Sequence, residues 1–311
     1  MRKFEQIAIL GAGTIGMSWA ALFLATGRLV TIFDPAEDVE RKTLEFIDKS
    51  QEALPELGWK LDGIMDRLSF TTDPAEAVTG ADFIQESIPE RLEIKHRLYN
   101  QIEPVITPTA IIGTSTSGLK LSDLQKGFSD PARLILAHPF NPPHLIPLVE
   151  LMINEKTASD VLPRSKAFFE SIGKVTVQLN KEIPGHIANR LQAAIWREVI
   201  HLANEGVASV EDIDKAVVYG PGLRWAAMGP NTLFHLGGGA DGIEGFCKHL
   251  GGPFQSWWND LGKPELDVDT IAVLKDGMAR AMKNSSMSDL AARRDELILG
   301  LMNARRIDMF S

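Results

Sequence analysis

The stretch AILGAGTIGMSWA, residues 8–20, joins an apolar run to three closely spaced glycines and decides the fold. The residues before the glycines are typical of a buried strand, and those from Thr14 to Thr26 have a helix-like pattern. A second strand-like run, RLVTIFD, follows at residues 28–34. A strand, a glycine-rich turn, a helix and another strand predict a β-α-β unit with parallel strands.

The glycines of this turn fit the spacing G-x-G-x-x-G, and an acid, Asp34, ends the second strand about 20 residues further on. In this context the pattern predicts a dinucleotide site, with the pyrophosphate at the start of the helix. Asp34 would accept hydrogen bonds from the ribose hydroxyls and repel a 2′-phosphate, so NAD is favoured over NADP. The alternatives are a glycine-rich turn without a ligand and an ordinary turn residue at Asp34. The predicted cofactor residues here are Gly11, Gly13, Thr14, Ile15, Gly16 and Asp34.

Further strand-like runs, ADFIQES, AIIGTST and ARLILAHP, alternate with helix-like stretches through the first half of the chain. This alternation predicts an α/β fold with a Rossmann-type, doubly wound parallel sheet. Beyond Pro184 and Gly185 the chain reads as one helix after another. We therefore expect an NAD-binding domain at residues 1–184 and an all-helical domain for substrate and dimerisation at residues 185–311.

Composition narrows the class of protein. A chain of 311 residues is long enough for two domains, and no apolar run is long enough for a membrane span. The formal charge of -9 disfavours nucleic acid and leaves a small molecule as the expected partner. The single cysteine, Cys247, excludes an intrachain disulfide and a thiolate zinc site, and no metal is expected. With no signal-peptide pattern at the N-terminus, we expect a cytoplasmic protein.

A second informative stretch is HPFNPPHLIPLVEL, residues 138–151. His138 follows a predicted strand, at the sheet edge where open α/β folds bind ligands. A histidine that takes a proton from a hydroxyl needs a carboxylate at its other ring nitrogen, and Glu150 in an apolar run is a candidate. The residues alone leave open a loop-capping histidine and a surface glutamate on an edge strand.

Together with STSGL upstream and GHIANRLQ downstream, this stretch resembles the 3-hydroxyacyl-CoA dehydrogenase family over essentially the whole chain. The resemblance implies that His138 is the acid/base and Glu150 its orienting partner. It also implies that Ser117 and Asn189 hydrogen-bond the substrate oxygen and that Asn141 lies near the nicotinamide. By the same resemblance, Glu90 and Lys95 would border the cofactor. Without it, Ser117 reads as a turn serine, Asn189 as a helix cap, and Glu90 and Lys95 as a solvated helix face.

The expected substrate departs from the family's CoA thioesters. CoA carries phosphates and needs a basic surface, which the family places between the second and third strands. In this chain residues 41–67 hold both signs of charge. The basic residues are Arg41, Lys42, Lys49, Lys60 and Arg67, and the acids are Glu45, Asp48, Glu52, Glu56, Asp62 and Asp66. No basic patch is predicted here.

The segment GPGLRWAAMGPNTLFHLGGGADG, residues 220–242, resembles family members that act on small free 3-hydroxy acids such as L-carnitine and L-gulonate. We expect NAD-dependent oxidation of L-carnitine to 3-dehydrocarnitine. Its trimethylammonium group needs an aromatic wall and its carboxylate a donor. The candidates are Phe140, Arg224, Trp225 and Phe254, with core or interface packing as the alternative for the aromatic residues. L-gulonate or a short 3-hydroxyacyl-CoA remains an alternative substrate, and a structural or NAD-sensing protein an alternative class.

The family uses the helices that correspond to the second half of the chain to dimerise, so the resemblance implies a homodimer.

Overall fold

The computed structural model describes residues 4–60, 62–282 and 285–309. These residues form two compact units. The sheet unit runs to Arg190 and includes Asp295–Asn303, and the helical unit comprises Leu191–Arg294 and the described residues from Ala304 on. No helix in the described parts of the chain has the length and apolar character that crossing a membrane requires. The predicted domain boundary after residue 184 stays a prediction, because a domain defined by function need not end where a compact unit ends.

The sheet unit is built on one eight-stranded sheet in the order β3-β2-β1-β4-β5-β6-β7-β8. The strands are β1 (Gln6–Leu10), β2 (Leu29–Phe33), β3 (Leu68–Thr71), β4 (Phe83–Glu86), β5 (Ile111–Thr114), β6 (Leu134–Pro139), β7 (Leu148–Met152) and β8 (Val175–Gln178). β1 to β6 are parallel, β7 is antiparallel to β6, and β8 is parallel to β7. The strand order reverses between β1 and β4, and ligands of doubly wound sheets bind at such a switch point. The predicted fold class is confirmed.

Both faces of this sheet are covered by helices. They are α1 (Thr14–Ala25), α2 (Val39–Ser50), α3 (Pro74–Val78), α4 (Leu92–Ile102), α5 (Leu121–Leu124) and α6 (Val161–Ser171). Successive side chains of a strand point to opposite faces, and β1 shows the result. Its Ile7 and Ile9 join the apolar core on one face, whereas Ala8 and Leu10 join the core on the other. A strand buried on both faces reads as an unbroken apolar run, which is why the sequence identified it.

Strand β3 was not predicted. Its four residues, LSFT, include no fully buried side chain, and their burial does not alternate cleanly. The strand lies at the end of the sheet and pairs only with β2 among the described strands. A short, half-buried edge strand carries little of the periodicity on which sequence reasoning depends.

The remaining helices are α7 (Ala188–Asn204), α8 (Val210–Val217), α9 (Leu223–Ala227), α10 (Pro230–Gly237), α11 (Gly242–Asp260), α12 (Val268–Met282) and α13 (Met287–Met309). The glycine-rich segment predicted as helix interrupted by loops forms α9, α10 and the start of α11. Its glycines allow close approach to the chain's own backbone. A Cβ on Gly238 would lie 1.6 Å from the carbonyl oxygen of Gly242, whose φ is +58°.

Candidate active site

The glycine-rich turn between β1 and α1 has two glycines that its own packing requires and one that it does not. Gly11 has φ +93°, and a Cβ there would lie 2.9 Å from backbone atoms of Ser87 and Ile88. A Cβ on Gly16 would lie 1.9 Å from the Gly11 carbonyl oxygen. A Cβ on Gly13 would meet no atom within 4 Å. Gly11 and Gly16 thus shape the turn, and the backbone at Gly13 is open to a ligand.

The start of α1 fits the pyrophosphate of a dinucleotide. Gly13 is the N-cap residue of α1, without a side-chain cap, and the first turn holds no acid that would repel an anion. Asp34 lies beside this turn, because its Oδ2 accepts a hydrogen bond from the Ala12 amide at 2.8 Å. Its Oδ1 accepts from the Ala36 amide at 3.0 Å. Thr14 and Ile15 are the first residues of α1.

A buried polar cluster lies at the end of β4, beside the switch point. Glu86 and Lys95 are fully buried and form an ion pair of 2.6 Å. Tyr99 and Thr114 each donate a hydrogen bond of 2.8 Å to the second carboxylate oxygen of Glu86. The Lys95 ammonium also donates to the Ile88 carbonyl at 3.3 Å. Lys95 is therefore not part of a solvated helix face, and its role in bordering the cofactor stays a prediction.

Glu90 holds the turn that follows β5. It accepts hydrogen bonds from the Thr116 hydroxyl at 2.7 Å, the Ser117 hydroxyl at 3.1 Å and the Leu119 amide at 3.1 Å. The amides of Ser117 and Gly118 donate to it as well. Burial raises the pKa of Glu90, but the hydrogen bonds from Thr116, Ser117 and Gly118 lower it to about 2. The carboxylate is therefore ionised at neutral pH and orients Ser117.

His138 and Glu150 stand directly opposite each other on the antiparallel strands β6 and β7. The distance from His138 Nδ1 to Glu150 Oε2 is 2.8 Å, and both residues are buried. The other oxygen, Oε1, accepts from the amides of Ile187 at 2.8 Å and Ala188 at 3.0 Å. Burial alone would raise the pKa of Glu150, but the hydrogen bonds from His138, Ala188 and Ile187 hold it below its usual value.

The geometry of this pair suits acid/base chemistry. An ionised carboxylate at Nδ1 fixes the neutral ring with its proton on that nitrogen and stabilises the imidazolium. Nε2 is then the ring nitrogen left to exchange a proton with a substrate. The arrangement can remove a proton from a hydroxyl group or return one to a carbonyl oxygen.

His186 lies next to three parts of the site: the turn after β5, the His138 ring and the amides that bind Glu150. It was not among the predicted site residues. Its Nε2 lies 3.0 Å from the Thr116 carbonyl oxygen. Its ring centroid lies 4.9 Å from that of His138. It directly precedes the two amides that bind Glu150. Through His186, the structure brings together the His138–Glu150 pair and the turn that carries Ser117.

Other predicted residues of the sheet unit lie nearby in the chain. Phe140 and Asn141 follow β6, with Phe140 half-buried and Asn141 exposed. Asn189 lies in the first turn of α7, directly after the amides that hold Glu150. Their proposed contacts with substrate or cofactor stay predictions.

Three predicted substrate residues belong to the helical unit. Arg224 and Trp225 lie on α9, with Arg224 exposed. Phe254 lies on α11 within an aromatic cluster, 5.5 Å from Phe234 and 5.0 Å from Trp257 between ring centroids. Packing accounts for Phe254, and its contact with a substrate stays a prediction.

Glu86 was missed although the signal that identified Glu150 applies to it. Both are acids inside apolar, strand-like runs, where a charge is costly unless it is paired. His186 was missed because its neighbours come from distant parts of the chain, and nothing in its local sequence indicates them.

Comparison with known proteins gives two family matches and several relatives that cover nearly the whole chain. Residues 6–183 match the NAD binding domain of 3-hydroxyacyl-CoA dehydrogenase, and residues 185–265 match the C-terminal domain of the same family. The L-carnitine dehydrogenase of Streptomyces coelicolor is 41% identical over 300 residues, which are 96% of this chain and 94% of that protein. The L-carnitine dehydrogenase of Oceanobacillus iheyensis is 40% identical over 299 residues, which are 96% of this chain and 97% of that protein.

One solved structure aligns with nearly the whole chain. It is the 5-dehydrogenase of 5-formyl-3-hydroxy-2-methylpyridine 4-carboxylic acid, described as an NAD+-dependent dismutase, with a TM-score of 0.80 and 30% sequence identity. The alignment covers 98% of each chain. From the two domain matches and the full-length relatives, the chain belongs to the 3-hydroxyacyl-CoA dehydrogenase family and is an NAD-dependent oxidoreductase that acts on a CH–OH group.

Proposed function

We propose that the protein oxidises L-carnitine at C3 to 3-dehydrocarnitine, with residues 1–184 as the NAD-binding domain and residues 185–311 as the substrate and dimerisation domain. The observation that carries the chemistry is the 2.8 Å bond between His138 Nδ1 and Glu150. The choice of substrate is supported by relatives named L-carnitine dehydrogenase that are about 40% identical over 96% of this chain.

In the forward reaction, His138 Nε2 takes the proton of the C3 hydroxyl, and Glu150 stabilises the imidazolium that results. Bound NAD supplies the acceptor for the hydride that leaves C3. The hydroxyl becomes a carbonyl, so the substrate loses two electrons and two hydrogens in total. Ser117 and Asn189 hydrogen-bond the substrate oxygen in this proposal.

The cofactor and the two ends of the substrate are assigned to separate groups. Gly13 and the start of α1 would hold the pyrophosphate, Asp34 would bind the adenine ribose, Asn141 would lie near the nicotinamide, and Glu90 and Lys95 would border the cofactor. Phe140 and the aromatic residues Trp225 and Phe254 are proposed to receive the trimethylammonium group, and Arg224 the carboxylate.

A short 3-hydroxyacyl-CoA is the second candidate substrate, because both domain matches carry the acyl-CoA family's description. Local charge pairing disfavours it. Lys42 is paired with Asp38 at 2.7 Å, and Arg41 with Glu45 at 2.7 Å and with Asp38 at 3.7 Å. These two cations are already compensated where the family's CoA enzymes need a basic surface.

The test is NADH formation by the purified protein with NAD and, in parallel, L-carnitine, D-carnitine, L-gulonate, L-3-hydroxybutyrate or L-3-hydroxybutyryl-CoA. We expect rapid reduction with L-carnitine and little with the other compounds. Activity confined to the CoA thioester or to L-gulonate would reject the proposed substrate and retain the oxidoreductase chemistry. A preparation carrying His138→Asn controls for a contaminating dehydrogenase.

We further propose a cytoplasmic homodimer formed through the helical unit. The support for the dimer is a set of large apolar side chains on this unit that the single chain leaves exposed. They include Leu191, Trp196, Val218, Leu223, Leu236, Trp257 and Trp258. Sedimentation at micromolar concentration should give twice the chain mass of 34.2 kDa, and a monomer would refute the dimer. The single cysteine, which is unpaired, agrees with a reducing compartment, and cell fractionation tests that location.

A further inference from the structure

His186 has a combination of features that packing alone does not require. It is buried, with only 3% of its surface exposed. Its φ is +50°, and among the described residues it is the only non-glycine residue with a positive φ. A side chain other than glycine in this conformation is strained, and such strain is concentrated at functional sites.

The hydrogen bonding of His186 defines its protonation state. A carbonyl oxygen can only accept, so Nε2 must donate to the Thr116 carbonyl at 3.0 Å. Nδ1 is buried and has no hydrogen-bond partner among the described residues. Burial lowers the pKa of His186, and the hydrogen bond to Thr116 opposes that effect only in part. The ring is therefore a neutral imidazole with its proton on Nε2.

The His186 ring lies next to the proposed acid/base pair, His138 and Glu150. Its centroid lies 4.9 Å from that of His138, with the planes tilted by 55°. His138, Glu150 and Glu90 are the titratable groups that act on it electrostatically. The backbone at His186 leads directly to Ile187 and Ala188, whose amides bind Glu150.

We propose that His186 is a positioning residue that holds the turn carrying Ser117 against His138 and aims two backbone amides at Glu150. The Nε2–H bond to Thr116 fixes the distance between the serine turn and the catalytic ring. The left-handed backbone directs the amides of Ile187 and Ala188 to the carboxylate. A neutral, polar ring next to His138 also solvates the imidazolium that forms in each turnover. The inference rests on the proposed acid/base role of His138 and not on L-carnitine as the substrate.

Two variants distinguish the effect of the hydrogen-bond donor of His186 from the effect of its aromatic ring. His186→Phe keeps an aromatic ring and removes the bond to Thr116, whereas His186→Gln keeps an amide donor near the position of Nε2. His96→Phe is the matched control, because His96 Nε2 also lies 2.8 Å from a backbone carbonyl oxygen, that of Asp123 on α5. Thermal unfolding of each variant verifies that it is folded.

Turnover is measured with the 3-hydroxy acid that the wild-type protein oxidises. We expect His186→Phe to lower turnover about 10- to 100-fold while the dissociation constant for NAD stays within about twofold. His186→Gln should recover part of the loss, and His96→Phe should match the wild type. Unchanged turnover in His186→Phe overturns the proposal, as does an equal loss in His96→Phe.

Histidine-selective ¹⁵N NMR on the protein without substrate provides a readout that a purely structural role would leave unchanged. In the wild type, the His186 ring should carry its proton on Nε2 and stay neutral while His138 titrates. In His186→Phe, His138 should become protonated only at a lower pH, because an apolar ring replaces a polar one beside the imidazolium. A His186 ring protonated on Nδ1, or an unchanged titration of His138, overturns the proposal.

This readout also separates the inference from the proposed function. If the protein does not oxidise L-carnitine, the substrate assignment fails, and the NMR titration still decides the role of His186. If the protein oxidises L-carnitine and the His138 titration is the same in both proteins, the inference alone fails. If His186→Phe does not fold, His186→Gln and the tautomer of the wild-type ring decide the case.

Discussion

The sheet unit and the helical unit differ in how far they bury their large apolar side chains. In the sheet unit, the apolar residues Ile7, Ile9 and Leu10 of β1 are 2% exposed or less. In the helical unit, Leu236 is 68% exposed and Trp258 is 59% exposed. Both units are rich in large apolar side chains, but only the first buries most of them within one chain.

The difference follows from the two architectures. A parallel sheet is covered on both faces by the helices that connect its strands, so folding completes its core. An amphipathic helix has a single apolar face, which another element must cover. Among the described residues of the helical unit, the buried hydrophobic side chains are those of Ile200, Ala203 and Ile213. Large exposed apolar patches on a folded chain mark interaction surfaces, which is the basis of the proposed dimer.

The largest expected effect tests whether the chemistry is located in the sheet unit. His138→Asn should lower turnover by about 10²- to 10⁴-fold, the usual cost of losing a general base, with NAD binding and oligomeric state unchanged. His249→Asn is the matched control, because His249 is an exposed histidine of the helical unit. Steady-state kinetics and NAD titration measure both variants. Equal turnover in the two would show that His138 is not the acid/base.

The second prediction tests the difference in burial itself. Phe83 is fully buried and packs against Phe4, Phe168 and Phe169. Phe83→Ala should lower the free energy of unfolding by about 3–5 kcal/mol, because it leaves a cavity. Leu236→Ala should change it by no more than about 0.5 kcal/mol in a dilute, monomeric sample and should instead weaken self-association.

Urea unfolding and sedimentation of the same samples measure the two effects. Comparable losses of unfolding free energy in both variants would mean that the helical unit buries Leu236 within the single chain. The statement that the helical unit leaves its large apolar side chains exposed would then be wrong for α10.

The parts that the sequence predicted are those with a local signal. The glycine turn, β1 and β2 follow from spacing and apolar runs. A charge inside such a run made Glu150 a candidate partner of His138, and the family resemblance implied its role. The register that sets His138 opposite Glu150 was not predictable, because it depends on the antiparallel pairing of β6 with β7. The burial of Lys95 was not predictable either. It depends on the ion pair with Glu86 of β4, and the sequence around neither residue indicates that pair.

The third prediction concerns the cofactor edge of the sheet unit. Asp34→Ser should raise the preference for NADP relative to NAD by about tenfold, because the carboxylate that repels a 2′-phosphate is removed. Glu37→Ser is the control, since Glu37 is an exposed acid three residues along. The ratio of kcat/KM for the two cofactors is the measurement. An unaltered ratio would place the ribose contact elsewhere.

The smallest expected effect concerns the pH dependence of the free energy of unfolding, to which Glu90 of the sheet unit should contribute. The pKa of Glu90 is about 2 in the folded chain, against a reference value of 4.5. Because the folded pKa is lower, the hydrogen bonds to Glu90 stabilise the fold fully above pH 4.5, and this contribution is lost as the pH falls towards 2. Glu90→Gln should therefore be less stable than the wild type near neutral pH and should approach it in acid.

Glu244→Gln on α11 changes an exposed glutamate of the helical unit and is the control for this last comparison. Its difference from the wild type should be the same at both ends of the pH range, because no hydrogen bond or ion pair among the described residues holds the Glu244 side chain as the serine turn holds Glu90. Urea unfolding at matched ionic strength, near neutral pH and again in acid, measures both variants. If the difference in unfolding free energy between Glu90→Gln and the wild type does not shrink in acid, the hydrogen bonds to Glu90 stabilise its carboxylate no more than water does. Ser117 would then be oriented by the turn's backbone alone, without an ionised anchor.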